Sequence, residues 1–156
     1  MPNYYGHIHQ LCSINPKLTY PLVASSMSNK QLKSIQSIIH PSVIASKGFN
    51  RNWPAGLRYG NHKYCGLDLI HFGVEQQLRK IQLLHKLLFY SKHKILMQSI
   101  IEWYYISAGL TGQILANPSI NVNYINSVWF NDLIHFMAES HITIYSTEFL
   151  TAKLPT

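Results

Sequence analysis

Helical periodicity constrains this chain most, because four of its segments repeat apolar residues at the three- and four-residue spacing of an α-helix. The first segment begins at Ser28, whose hydroxyl group can cap the helix together with Gln31 three residues later, and it ends near Gly48. The other three segments cover residues 73–90, 92–108 and a stretch opening at Asn126 or Ser127. The sequence therefore predicts a mainly α-helical domain of about four helices.

Weaker signals predict one or two small β-strand pairs beside these helices. Residues 57–59 and 67–69 are expected to pair as a hairpin around Gly60 and Asn61, and residues 141–145 alternate polar and apolar side chains as a strand does. Residues 120–124 are expected to be extended as well.

The ends of the chain lack the helical repeat. Residues 1–27 contain three prolines and are expected to form an extended segment, with a short extended piece at 18–20. We expect a single domain over 1–156, with a helical body at 28–147 and a tail at 148–156. Helical spacing alone predicts that the pairs 103–104 and 129–130, which are Trp-Tyr and Trp-Phe, lie in the core.

Charge and composition limit the partners. The net charge is +7, from 13 Lys and Arg against six acidic residues, and a basic excess favours polyanions such as nucleic acid. Charged residues make up only 12% of the chain, which suits a part of a larger assembly. Two cysteines, no signal-peptide pattern and no long uninterrupted apolar run predict an intracellular protein outside the membrane.

The residues needed for catalysis are sparse. Polymerase-type nucleotidyl transfer requires clustered carboxylates that hold divalent metal ions, but the two aspartates, Asp68 and Asp132, fall on different predicted elements. No phosphate-binding loop, dinucleotide fingerprint or serine-nucleophile elbow is present. The sequence therefore predicts a protein that is not an enzyme and has no cofactor.

Histidine and cysteine residues at short spacing make a zinc site the other possibility to consider. His7, His9 and Cys12 have chelating spacing, as do His62 and Cys65. The two groups lie about fifty residues apart in a chain with nine histidines, so chance accounts for the pattern and no metal site is predicted. A nucleophilic pair of Cys65 with His62 or His71 lacks an orienting third group.

Cations and aromatic side chains share the central loop. Arg51, Arg58 and Lys63 lie close in sequence to Trp53 and to two tyrosines, a mixture that can contact phosphates and stack on bases or sugars. The alternative is that the aromatic rings belong to the core and the cations form a solvated face.

The same loop carries a resemblance to a known family. The residues Gly-Phe-Asn-Arg-Asn-Trp-Pro at 48–54 and Tyr-Gly-Asn-His-Lys-Tyr-Cys-Gly-Leu-Asp-Leu at 59–69 are preceded by Lys-Leu-Thr-Tyr-Pro-Leu at 17–22 and followed by Glu-Gln at 75–76. In this order they resemble the region after the palm in reverse transcriptases of non-long-terminal-repeat retrotransposons, of the type found in protists such as diatoms. The family usually has glycine where this chain has Cys65 and Asp68.

This resemblance implies a non-catalytic fragment that corresponds to the thumb and connector of such a polymerase and holds the template–primer duplex through its phosphates. The catalytic aspartates of the family would lie upstream of this chain. The expected nucleic-acid-binding residues are Lys30, Lys33, Arg51, Trp53, Arg58, Lys63, Arg79 and Lys80. The alternatives are a helical protein–protein interaction module, binding the rest of a polymerase or a second copy, and a remnant without function.

Overall fold

The computed structural model describes residues 15–90, 92–109, 114–119 and 127–145. The chain divides into two compact units, Met1–Arg79 and Lys80–Thr156. Over the described residues the fold is mainly helical, as predicted. The α-helices are α1 (Asn15–Ala24), α2 (Asn29–Ser46), α3 (Ala55–Tyr59), α4 (Phe72–Phe89), α5 (Lys94–Ser107) and α6 (Val128–Glu139), with a 3₁₀ turn at His62–Tyr64.

The predicted capping box of α2 is confirmed. The Ser28 hydroxyl accepts a hydrogen bond from the Gln31 amide, and the Gln31 side chain accepts one from the Ser28 amide. The helix then continues through Pro41, a residue type that often kinks or ends helices, and reaches Ser46. Gly48 follows with a φ of +80°, the left-handed conformation that ends helices.

The first helix corrects the prediction of an extended N-terminal segment. Asn15–Ala24 is helical although Pro21 lies inside it, and the carbonyl of Pro21 accepts a bond from the Ser25 amide at 3.0 Å. Leu22 of this helix is buried in one cluster with Leu32 and Phe72. Burial of this side chain compensates for the hydrogen bond that proline cannot donate.

A second apolar cluster completes the core of the first unit. Val43 and Ile44 at the end of α2 pack with Leu67 and Leu69 of the following loop. The loop between α2 and α4 is therefore anchored by two buried leucines, with one exposed residue, Asp68, between them.

The core of the second unit joins the end of α4 to α5 and α6. Its buried members are Leu84, Leu88, Ile101, Ile114, Leu115, Phe130, Leu133, Ile134 and Met137. Helix α6 begins at the predicted cap, since the Ser127 hydroxyl accepts a bond from the Phe130 amide. Phe130 is buried as expected, whereas Trp103 of α5 is largely exposed, contrary to the prediction from helical spacing.

The predicted strand pairs are absent from the part of the chain that the structure describes. Residues 57–59 lie in the short helix α3, and the carbonyls of Leu57 and Arg58 accept backbone hydrogen bonds from the amides of Leu67 and Leu69. Residues 141–145 keep the expected alternation of burial, but a bond from the Ile144 amide to the Leu115 carbonyl does not make a ladder. Residues 120–124 lie outside the described residues.

Candidate nucleic-acid interface

The central loop between α2 and α4 is built on backbone hydrogen bonds between two of its segments. The amides of Leu67 and Leu69 donate to the carbonyls of Leu57 and Arg58, each at 2.9 Å. The Asp68 amide donates to the Gly60 carbonyl at 3.0 Å. The helical turn of α3 is thus fastened to the segment that carries the two buried leucines.

Gly66 allows this close approach of two backbones. A Cβ atom at this position would overlap with the carbonyl group of Gly60, and Gly66 is itself buried. Only a residue without a side chain fits here. The close approach to Gly60 therefore explains why a glycine occupies position 66.

Two non-glycine residues within two positions of Gly66 adopt the left-handed conformation. Cys65 has a φ of 61° and Asp68 a φ of 50°. Asp68 accepts a hydrogen bond from the His62 amide through Oδ2 at 3.0 Å. Aspartate is also one of the few non-glycine residues that tolerate the left-handed conformation. Cys65 is an exposed free cysteine.

Two cations hold the loop through backbone carbonyl oxygens. Lys47 Nζ donates to the Leu67 carbonyl at 3.1 Å, and Arg58 Nε donates to the Trp53 carbonyl at 2.6 Å. Burial lowers the pKa of Lys47, while the nearby Asp68 carboxylate acts in the opposite direction. These two cations have a structural task in addition to any contact with a ligand.

A buried histidine of α2 contacts two separate parts of the loop. His40 of α2 lies with Nε2 3.2 Å from the Ile70 carbonyl oxygen, and its ring meets Tyr59 edge-on at 5.6 Å. Burial is the main cause that lowers the pKa of His40, and the positive charge of Arg58 adds to it, while the bond to Ile70 opposes it. A neutral imidazole that donates from Nε2 fits this position.

The structure leaves most of the predicted binding residues accessible. Lys30 and Lys33 are exposed on α2, and Arg51 and Lys63 are exposed on the loop. Arg79 is exposed while its Nε is 2.8 Å from Glu75 Oε1 in an ion pair one turn away. Arg58 is half-buried because its guanidinium group bonds to the loop.

The aromatic member of the predicted set is less accessible than its neighbour. Trp53 is half-buried, its ring lies 4.5 Å from that of Phe49 between centroids and is tilted by 45° to it, and it packs on the cluster of Val43, Ile44, Leu67 and Leu69. Tyr64 is 73% exposed, and Lys63 Nζ lies 5.8 Å from the centre of its ring. Tyr64 is therefore the better-placed ring for stacking, and its position beside a lysine was the sequence signal for it.

Lys80 lies away from solvent and outside the accessible basic surface. Its side chain has no exposed area, its Nζ is 3.8 Å from Asp132 Oδ2, and it lies 5.6 Å from the centre of the Trp129 ring. Burial lowers the pKa of Lys80, against the opposing effect of Asp132. This ammonium group lies against an acid and an aromatic face of its own unit and cannot reach a phosphate group in this conformation.

The net charge is divided very unequally between the two units. Met1–Arg79 contains eight Lys and Arg against two acidic residues, whereas Lys80–Thr156 contains five against four. The first unit thus has a net charge of +6 and the second one of +1. Almost all of the net positive charge therefore belongs to the first unit.

Neither a metal cluster nor a membrane-spanning helix is found among the described residues. No three His, Cys, Asp or Glu side chains there are grouped closely enough to hold a metal ion. His62 and Cys65 are exposed, while His7, His9 and Cys12 lie outside the described residues. None of the described helices is long and apolar enough to cross a lipid bilayer.

Comparison with protein-family models, with curated proteins and with solved structures gives no match to this chain.

Proposed function

We propose that this chain is a non-catalytic, nucleic-acid-contacting helical fragment derived from a reverse transcriptase, and that its first unit binds template–primer duplex through the phosphates. The observation that carries the proposal is the net charge of +6 on Met1–Arg79. Phosphate contacts dominate the affinity of proteins for nucleic acid, and they need exposed cations.

The placement of the cations supports this function. Arg51 and Lys63 extend into solvent from a loop that is held by backbone bonds, by Gly66 and by two buried leucines. Cations on a rigid loop lose less conformational freedom on binding than cations on a mobile one. Lys30 and Lys33 add exposed charge at the start of α2.

The backbone of the loop also supports the proposed origin. In the family that the sequence resembles, glycine usually stands at the positions of Cys65 and Asp68. Both residues here have the positive φ that glycine adopts most readily. The glycines of the family would allow the same loop conformation.

A salt titration tests the proposal. The full chain is titrated into a fluorescently labelled RNA–DNA hybrid, and anisotropy gives the Kd between about 50 and 200 mM salt. Micromolar or weaker binding with a steep salt dependence is expected. Absence of binding at the lowest salt concentration, or a Kd that does not change with salt, refutes the proposal.

A pair of double variants locates the contact. Arg51→Gln with Lys63→Gln removes two exposed charges from the first unit, and the slope of log Kd against log salt should fall by about 1.8. Lys86→Gln with Lys92→Gln removes the same charge from exposed positions of the second unit and should change the slope little. Equal effects of the two pairs would contradict a contact through the loop.

Two further measurements test which cations make the contact and whether the chain is catalytic. Lys80→Met should leave the affinity for the hybrid unchanged, because the side chain has no exposed area. Primer extension with a divalent metal ion should yield no product, and any extension by the purified chain would overturn its non-catalytic character.

A further inference from the structure

Helix α5 is apolar on both of its sides, but only one side is covered by its own unit. The inner side contributes Ile101, which is fully buried, with Met97 and Tyr104 packed on the same core. The outer side is between 36% and 79% exposed at each of its large apolar residues, which are Ile95, Leu96, Ile100, Trp103 and Ile106. We call these five residues the outer face of α5. A helix with large apolar side chains on two opposite sides is ordinarily covered on both.

The size of the outer face indicates a protein partner. Its exposed apolar area is on the order of 600 Å², the upper end of what a typical monomer leaves uncovered. A standard interface buries about 800 Å² on each partner. The outer face with its polar margin therefore supplies most of one side of a stable interface.

The chemistry of the outer face excludes a polyanion and permits a second copy of the chain. The polar residues among its apolar members are Ser99 and Glu102, and no cation lies between Ile95 and Ile106. The second unit as a whole is nearly neutral, so that two of these units do not repel each other strongly. We propose that the outer face of α5 is a homodimer interface.

Helical spacing indicates which residues would lie in the contact between two copies. Leu96, Ile100 and Trp103 follow one another by four and three residues, the spacing of a seam between two packed helices. In an antiparallel pair the two-fold axis passes near Ile100, so that Ile95 of each copy approaches the opposite end of the other patch, where Ile106 lies. Ser99 near the axis is small enough to allow the helices to approach closely.

Sedimentation velocity of the full chain, purified free of nucleic acid, tests the interface. Between about 1 and 100 µM the mass should rise from that of the 17.9 kDa monomer to that of a dimer. Ile106→Glu places a charge on the outer face and should raise the dimer Kd at least tenfold. The matched control is Val128→Glu, which changes a similarly exposed apolar residue on α6 and should leave the Kd within twofold of the parent value.

Each outcome decides the proposal. A parent chain that is monomeric at the highest concentration overturns it. An Ile106→Glu variant that dimerises like the parent, or a control that weakens the dimer equally, also overturns it. Far-ultraviolet circular dichroism establishes that each variant is folded, and if Ile106→Glu is not, Ile95→Lys at the other end of the patch takes its place.

Discussion

Replacement of Gly66 by alanine tests the steric argument for the central loop. The added methyl group would overlap with the carbonyl group of Gly60, and the obstructing atoms belong to the backbone, so no side-chain rotation can relieve the overlap. Carbon atoms pack best about 3.5–4.0 Å apart, and the two segments must therefore separate by more than about 1 Å. We expect Gly66→Ala to destabilise the first unit strongly.

The size of the effect follows from the hydrogen bonds that cross between the two segments. The bonds donated by the amides of residues 66, 67, 68 and 69 measure 2.9–3.0 Å, and a shift of this size breaks or weakens all of them. Each contributes about 0.5–1.5 kcal/mol, and partial relaxation preserves some of that. We therefore expect the free energy of unfolding to fall by about 3 kcal/mol, a large part of the roughly 5–15 kcal/mol that stabilises a typical domain.

Urea denaturation followed by circular dichroism measures this change. Gly56→Ala is the matched control, because a Cβ atom there meets nothing within 4 Å and the residue lies in α3, where alanine is favoured by up to about 1 kcal/mol. Hydrogen exchange at the amides of Leu67 and Leu69 should accelerate in Gly66→Ala alone. A free energy of unfolding within about 1 kcal/mol of the parent value would refute the steric reasoning.

Three further predictions concern single side chains. Burial depresses the pKa of His40 in the folded state, so the unfolded chain binds more protons and stability should decline as the pH falls below the ordinary histidine value of 6.5. Urea midpoints measured over a pH series should decline less in His40→Gln than in the parent chain. An equal decline in the two proteins would contradict this role of His40. Cys65→Gly should raise the free energy of unfolding by about 0.5–1 kcal/mol by removing left-handed strain, while Cys65→Ala, which keeps the strain, should not. Ser28→Ala should cost about 1 kcal/mol through loss of the α2 cap, compared with little change for the exposed mid-helix Ser37→Ala; equal thermal melting of the two variants would contradict the role of the cap.

The sequence predicts those parts of the fold that depend on local signals. Ser28 with Gln31 and Ser127 mark helix starts because capping involves residues within one turn of each other. The helix at Asn15–Ala24 was missed because Pro21 is locally unfavourable, and the compensating burial of Leu22 comes from residues far along the chain. The prediction of small strand pairs was wrong because two short segments can form backbone hydrogen bonds without forming a β-ladder.

The buried face of α4 shows that long-range contacts also decide which residues of the candidate site are accessible. Phe72, Gln76, Lys80, Leu84 and Leu88 are all buried and lie four residues apart. An apolar periodicity does not include a glutamine and a lysine, so Lys80 was counted among the accessible cations. Gln76 is accommodated by a 2.8 Å bond to the Ser25 carbonyl, and Lys80 by Asp132 and Trp129, partners that are distant in sequence. The exposed positions of Arg51 and Lys63, by contrast, agree with their placement in a polar loop.

The bonds from Lys47 and Arg58 to backbone carbonyl oxygens have a practical consequence for handling the protein. Dissolved ions weaken attraction between exposed charges, but they screen a partly buried bond to a carbonyl dipole far less. Phosphate binding by exposed lysines and arginines declines steeply with salt. Under the proposed function, concentrated salt should therefore release nucleic acid while the loop between α2 and α4 stays folded.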